Sequence, residues 1–417
     1  MVVKIIKPGY RITEIGAIPD DWLTLSLKDS CALIKDGTHT PPKRINSGIP
    51  LLSAVNIENG EIDFHNNITY ISENDYKLIQ KFHSIKRGDV LITIVGTLGR
   101  SALVNSDQKF SVQRSIAVLR PLNNKIDNEY FFQILNSKKF LEQILLYSKS
   151  TAQTGIYLNE LARILIPVPK KEEQVRISEI LSNADATIKS LHELVNKKRN
   201  IKKGLIQALL TRGIGHTKFK KTEIREIPEE WELKSLGDNT VSIIEMGQSP
   251  PSSSYNETRN GLPFLQGNAE FGFKYPSTNV YCSSPLKKAL QGDILISVRA
   301  PVGAINVSNV EYCIGRGLAA IRPNPNRIDK TFMYYSLKGL KGDLERLSAG
   351  STFKAIGKNQ LYGLKIPLPP LPEQQKIART ISDADKEIKA LEEKIDKYKR
   401  LKTGMMQQLL TGGIRVK

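Results

Sequence analysis

Cysteine is scarce in this chain, and what there is carries no pattern. Cys31, Cys282 and Cys313 show neither CxxC spacing nor an even count, which argues against a disulfide framework or a structural zinc site and fits a reducing compartment. Long apolar runs are missing as well. None approaches the roughly 20 residues that a membrane span needs, and the basic start MVVKIIKPGY leads into no secretory apolar core. The expectation is a soluble, cytoplasmic protein with no membrane partner.

Signatures of catalysis are equally thin. No GxxxxGK[ST] phosphate loop occurs, nor the N/D-P-P-Y/F/W element that amino methyltransferases use. GRGLAA (Gly315 to Ala320) matches a dinucleotide fingerprint only superficially, because Pro323 and Pro325 stand where its helix would run. His39, His65, His83, His192 and His216 lie far apart with no metal-ligand spacing. No nucleophile and base come together, so the chain is read as non-catalytic, with no metal site and no cofactor of its own.

Acidic residues are also in short supply. With 61 Lys and Arg against 42 Asp and Glu, the formal charge is +19 and the pI about 9.6. Such a field favours a polyanion, most plausibly nucleic acid, because each neutralised phosphate releases condensed counterions. At 417 residues, 40% of them hydrophobic, the chain is long enough to bury more than one core.

What the chain does have is one long segment twice. Ile166 to Ile214 (IPVPKKEEQVRISEILSNADATIKSLHELVNKKRNIKKGLIQALLTRGI) aligns without a gap on Ile366 to Ile414, at an offset of 200, and 22 of the 49 positions are identical. The preceding regions correspond more loosely. EIGAIPDDW (Glu14) matches EIREIPEEW (Glu223), GIPLL (Gly48) matches GLPFL (Gly261), GDVLIT (Gly88) matches GDILIS (Gly292), and QRSIAVLRP (Gln113) matches GRGLAAIRP (Gly315). Their offsets drift from 209 through 213 and 204 to 202. A scaffold of constant length therefore alternates with domains whose loops vary, dividing the chain into segments 1–165, 166–215, 216–365 and 366–417.

Each repeated segment reads as a helix. Pro167 and Pro169, with Pro367, Pro369, Pro370 and Pro372, prevent helix upstream; Glu173 and Glu373 then sit at the positive end of a helix dipole. Apolar residues follow at alternating spacings of three and four: Leu181, Ala184, Ile188, Leu191, Val195, Leu205 and Leu209, with Ile381, Ala384, Ile388, Leu391, Ile395, Tyr398, Met405 and Leu409 in the copy. That is a coiled-coil seam. Lys198, Lys202, Gly204 and Gly404 interrupt it, so packing is expected to loosen toward the C-terminal third. KKRNIKK (Lys197 to Lys203) reads as a solvated helix face, since aromatic residues are not interleaved. A helix over about 173–211 would be about 57 Å long, or about 17 base pairs of duplex at 3.4 Å each. Only its own copy matches it in length, and the domain between them favours antiparallel pairing.

The globular halves read as mixed, with more strand than helix. Strands are expected at VLITIVG (Val90), SIAVLRP (Ser115), ILISVRA (Ile294) and LAAIRP (Leu318), and helices near Glu129 to Leu146 and Lys330 to Leu347. The polar loops Lys35 to Gly48 and Met246 to Gly261 are natural places to read base edges. The expected fold class is α+β: two globular mixed α/β domains joined by two long helices in an antiparallel coiled coil, with a pseudo-two-fold internal repeat.

IPLPPLPEQQKIA leading into a long heptad helix that ends LLTGGI, present twice and each time after a variable domain beginning near EIGxIPxxW, resembles the specificity subunit of Type I restriction-modification systems. The first copy departs from that pattern, with PVPKKEEQ in place of PLPPLPEQ. The resemblance implies two target recognition domains, each reading half of a split site in double-stranded DNA. It also implies helices that hold them apart and dock methyltransferase subunits, two of them, and a restriction and translocase subunit. S-adenosylmethionine would then belong to the methyltransferase partner, and ATP and Mg to the restriction subunit.

On that footing the candidate DNA-reading residues are Lys35, Thr38, His39, Lys43 and Arg44 in the first half and Gln248, Ser249, Ser252, Ser253 and Ser254 in the second. Arg100, Arg114, Arg299 and Arg316 join them as strand-end arginines able to pair with guanine in two places. Pro167, Glu173, Gln174, Pro367, Glu373 and Gln374 are candidate docking residues, taken to be solvent-accessible. Two other classes stay open: a self-contained DNA methyltransferase, and an architectural scaffold that binds DNA without reading it.

Overall fold

The computed structural model describes residues 8–39, 42–81, 84–148, 155–348 and 355–416. The chain forms two compact units, Met1–His192 with Lys394–Lys417, and Glu193–Glu393. Both cut across the sequence segments, because each takes part of both long helices.

In the N-terminal unit, strands β1 (Leu23–Ser26), β2 (Cys31–Asp36), β3 (Val90–Thr93), β4 (Ser101–Leu103) and β5 (Ile116–Pro121) precede helices α1 (Asn128–Leu135) and α2 (Lys138–Tyr147), strand β6 (Leu165–Val168) and long helix α3 (Lys171–Arg212). An antiparallel sheet runs in the order β4, β3, β5, β2. Its central strands are almost wholly buried, with apolar side chains at all positions but Thr93 and Arg120, because both faces are covered. One helix expected over 129–146 is two: the Ser137 hydroxyl caps the amide of Phe140 and starts a second helix.

The C-terminal unit repeats the plan. Strands β7 (Glu232–Ser235), β8 (Ser242–Met246), β9 (Ile294–Ser297), β10 (Ile305–Val307) and β11 (Leu318–Pro323) lead to helices α4 (Lys330–Gly339) and α5 (Lys341–Ser348), strand β12 (Lys365–Leu368) and long helix α6 (Leu371–Leu409). The sheet order is β8, β11, β9, β10, the same permutation as before. A smaller sheet lies beside each, around Ile49–Leu52 in one unit and Leu262–Leu265 in the other. In both units a buried carboxylate ties the sheet: Asp89 takes both Nε and Nη2 of Arg120 at 2.8 Å, and Asp293 takes those of Arg322 at 3.0 and 2.8 Å.

The proline stretches are strands. Pro167 pairs with Thr24 in β6–β1, and Pro367 with Leu233 in β12–β7. Pro372, expected upstream of helix, lies instead in the first turn of α6, where a missing N–H leaves no bond unmade. Helix α3 has 42 residues and α6 has 39, and both continue through Gly204 and Gly404.

Within each unit one part of α3 packs on one part of α6, and they run antiparallel. In the C-terminal unit Lys198 meets Glu387 at 2.7 Å, Arg199 meets Glu392, and Lys202 pairs with Asp385. In the N-terminal unit Lys402 meets Asp185 at 2.6 Å, while Leu409 and Leu410 share a core with Ile177 and Leu181. The expected lapses at Lys198 and Lys202 are thus matched charge. KKRNIKK is a mostly exposed helix face, as expected, from which Lys198, Arg199 and Lys202 also reach acids of α6.

Candidate nucleic-acid interface

Antiparallel strand order decides which loops share an end of the four-stranded sheet. In the N-terminal unit β2 ends at Asp36, β3 ends at Thr93, and β4 and β5 begin at Ser101 and Ile116. One end of the sheet therefore collects Thr38 and His39, Arg100, and Arg114. The pairing is specific: the Thr38 amide donates to Val112 at 3.1 Å and bridges to Gln113, next to Arg114. Arg100 and Arg114 are exposed, as are Lys35 on β2 and His39, whose Nε2 lies 2.6 Å from Asp36 Oδ2.

The C-terminal unit builds the corresponding end from the corresponding loops, although Arg299 stands where the N-terminal unit has Val95 rather than Arg100. Gln248 donates its amide to Ile314 at 3.0 Å, and the Ser249 hydroxyl accepts the amide of Arg316 at 3.2 Å. Arg299, just past β9, and Arg316, just before β11, are both exposed. Added Cβ atoms on Gly247 and Gly37 would sit 2.1 Å from the carbonyls of Gly315 and Val112, so glycine lets these loops close on one another.

Not every candidate reaches this end. The Ser254 hydroxyl is spent on Pro251 O at 2.7 Å, and its carbonyl accepts from Ser283, while Ser252 and Ser253 stay exposed on the same short turn. Lys43 and Arg44 are exposed but precede Ile45, which is pinned to Tyr70 beside the smaller sheet. Pro41 of that loop and His83 lie outside the described residues.

The premise that the docking candidates are solvent-accessible is corrected. Pro167, Pro367, Glu173, Gln174 and Gln374 are buried and the Glu373 side chain is 13% exposed, because each polar group is held by its own unit. Gln174 accepts from the Asp127 amide at 2.8 Å and donates to Lys125 O and Pro169 O; Gln374 does the same with Asp329, Arg327 and Pro369. Glu173 accepts the Trp22 indole N–H at 3.0 Å and the Arg415 guanidinium at 2.8 and 2.9 Å. Glu373 accepts the Trp231 indole N–H at 3.1 Å and the Ile214 amide at 2.9 Å, with His216 Nε2 also 2.9 Å away. Arg415 also grips Asp21, whose carboxyl this hydrogen bond holds below the usual range. Periodicity could not reveal these bonds, since it describes a helix's own faces and not what folds onto its first turn. The recurrence of one tryptophan and one glutamate in each half, Trp22 with Glu173 and Trp231 with Glu373, was the available signal.

Two repeated domains, each offering exposed arginines and polar loops at one sheet end, with paired segments of two long helices, define a DNA-specificity protein. The family model for the Type I restriction modification DNA specificity domain matches residues 19–201 and 228–399, and the chain belongs to that family. It is 39% identical to a Methanocaldococcus jannaschii protein assigned as the MjaX type I restriction enzyme specificity subunit, over 99% of this chain and 98% of that one. It is 28% identical to the MjaVIII specificity subunit of the same organism, over 96% and 94%. Among solved structures it resembles the HsdS subunit from Thermoanaerobacter tengcongensis, with 29% identity, a TM-score of 0.51 and coverage of 95% and 98%. A chain solved in work on complex assembly and conformational transition of the type I R-M system gives 29% identity, a TM-score of 0.63 and coverage of 95% and 99%. The two globular repeats are target recognition domains.

Proposed function

We propose that this specificity subunit reads a two-part site in duplex DNA through the two equivalent sheet ends, contributes no catalytic group, and docks separate methyltransferase and restriction subunits in the cytoplasm. The observation that carries the reading is the exposure of Arg114 and Arg316 at the same place in the repeated sheet, with Arg100 and Arg299 exposed on the neighbouring hairpin loop of their own domains. Arginine there can reach paired acceptors of guanine from a rigid strand end. S-adenosylmethionine, ATP and Mg belong in this reading to the partners.

Docking falls to a different surface from the buried proline junctions. Ile201 (54% exposed) and Ile214 (43%) in the C-terminal unit correspond to Leu401 (50%) and Ile414 (56%) in the N-terminal unit, and Gly204 and Gly404 leave open backbone beside them. Exposed apolar residues repeated at one offset suit two copies of one partner, here the methyltransferase subunit. The test is reconstitution with the methyltransferase and mapping of methylated bases. Arg114→Ala should relax one half-site and Arg316→Ala the other, each by about 1–3 kcal/mol per lost base contact; an unchanged methylation pattern in both would refute the assignment.

A further inference from the structure

The internal repeat makes each unit a control for the other, and at one place the two differ in charge. In both units an aspartate on the first part of a long helix is held by a lysine from the other helix and by a polar side chain of the globular domain. Asp185 takes Lys402 at 2.6 Å and Gln133 at 3.1 Å; Asp385 takes Lys202 and, at 2.6 Å, the hydroxyl of Tyr335. Close by, the N-terminal unit adds two carboxylates from its globular part. Glu61 meets Lys189 at 2.6 Å, and Glu129 accepts from Ser182 at 3.3 Å.

The C-terminal unit keeps the helix residues, Lys389 and Ser382, and loses both acids. Thr331 stands where Glu129 stands, and the segment near Lys389 is Phe273, Lys274 and Tyr275. A cleft of about 940 Å³ opens there. Its acids are already matched, Asp385 by Lys202 and Glu392 by Arg199. Among the described residues the one ion pair of Lys389 is a 3.7 Å contact with Glu393 on its own helix, while Lys203 and Lys274 add further charge. Phe273 is 79% exposed and Tyr275 47%, and Lys338 lies 4.6 Å from the Tyr334 ring and 5.9 Å from that of Phe273.

We propose that this cleft receives an acidic segment of a partner protein, one carboxylate resting on Lys389 as Glu61 rests on Lys189, and an apolar side chain covering Phe273 and Tyr275. Excess cations beside exposed aromatic rings complement an acidic, partly apolar peptide. The volume is that of a pocket for side chains, whereas duplex DNA presents its phosphates on a convex surface.

The proposal does not depend on which bases the subunit reads. A fluorescein-labelled peptide of glutamate alternating with leucine, added to the full chain and followed by anisotropy, is the probe. Saturable binding is expected, weakened at least about tenfold by Lys389→Glu or Lys274→Glu and unchanged by Lys189→Glu, which alters the equivalent lysine of the N-terminal unit. A lysine-for-glutamate version of the peptide should bind the Lys274→Glu/Lys389→Glu double variant and not the natural chain. Lys389 is exposed and Lys274 half-buried, and duplex affinity measured in parallel shows that the variants are folded. The proposal fails if the peptide does not saturate, if Lys189→Glu weakens it as much as Lys389→Glu, or if a single-stranded oligonucleotide displaces it and itself loses affinity in Lys389→Glu.

Discussion

Gln374 is fully buried and fills three hydrogen bonds with one side chain: its oxygen accepts from Asp329, and its nitrogen donates to Arg327 O and Pro369 O. Gln374→Glu exchanges a single NH₂ for oxygen without changing shape. If ionised, the new group would aim a negative oxygen at two carbonyls. If protonated, it can satisfy one carbonyl and leave the other bare, at a cost of about 1–3 kcal/mol. Staying protonated in the native state raises its folded pKa above the unfolded value of about 4.3. Below that value both states carry the proton and only the bare carbonyl counts. As pH rises above it, about 1.4 kcal/mol is lost per unit until the native group ionises as well. At pH 7 the total is about 5 kcal/mol, comparable with the whole stability of many domains.

The chain has two tryptophans, Trp22 in the N-terminal unit and Trp231 in the C-terminal unit, so each unit carries its own reporter. In a Trp22→Phe background, urea unfolding followed by Trp231 fluorescence should show Gln374→Glu destabilised by about 5 kcal/mol at pH 7 and by only about 1–3 kcal/mol at pH 4. A difference below about 1 kcal/mol that does not change with pH would refute the reasoning, since it would mean the side chain is neither dry nor needed as a donor.

The same physics yields three further expectations. Asp21→Asn should lower the melting temperature at neutral pH and have no effect in strong acid: a depressed carboxyl pKa contributes above its unfolded value and loses that contribution as pH falls through the folded one. With Asp21 46% exposed, the effect stays at about 1 kcal/mol or less. Arg322→Met should cost about 3 kcal/mol in denaturant unfolding, because it strands the buried Asp293 carboxylate; a neutral result would mean water compensates it. Ile201→Asp should leave stability within about 0.5 kcal/mol and weaken binding of the methyltransferase in calorimetry, and undiminished binding would move docking elsewhere.

Much of the fold was legible because it rests on local periodicity. The 200-residue offset announced two equal units, the three-and-four spacing marked the seam from Leu181 to Leu209, and the apolar runs at Val90 and Ile294 became central strands. The places where the reading failed share a cause. Glu173 and Gln174 are polar residues after a proline, which suggests surface, yet indole, guanidinium and backbone groups from residues up to 243 positions away bury them. Lys198 and Lys202 interrupt a heptad on their own helix, and only the acids of α6 make them fit.

The sequence by itself therefore determined the number of units, their equivalence, the class of the two long helices and a basic, polar loop set suited to DNA, because repeats, amphipathic spacing and charge are properties of neighbours along the chain. Only the tertiary structure decided that Thr38, Arg100 and Arg114 share one sheet end, that Gln248, Arg299 and Arg316 share the corresponding end of the other sheet, and that the helix starts are locked inward. It alone also decided that Glu61 pairs with Lys189 while Lys389 faces an open cleft. Strand order and helix packing bring together residues that no spacing rule links, and burial then determines whether a charge is matched or left for a partner.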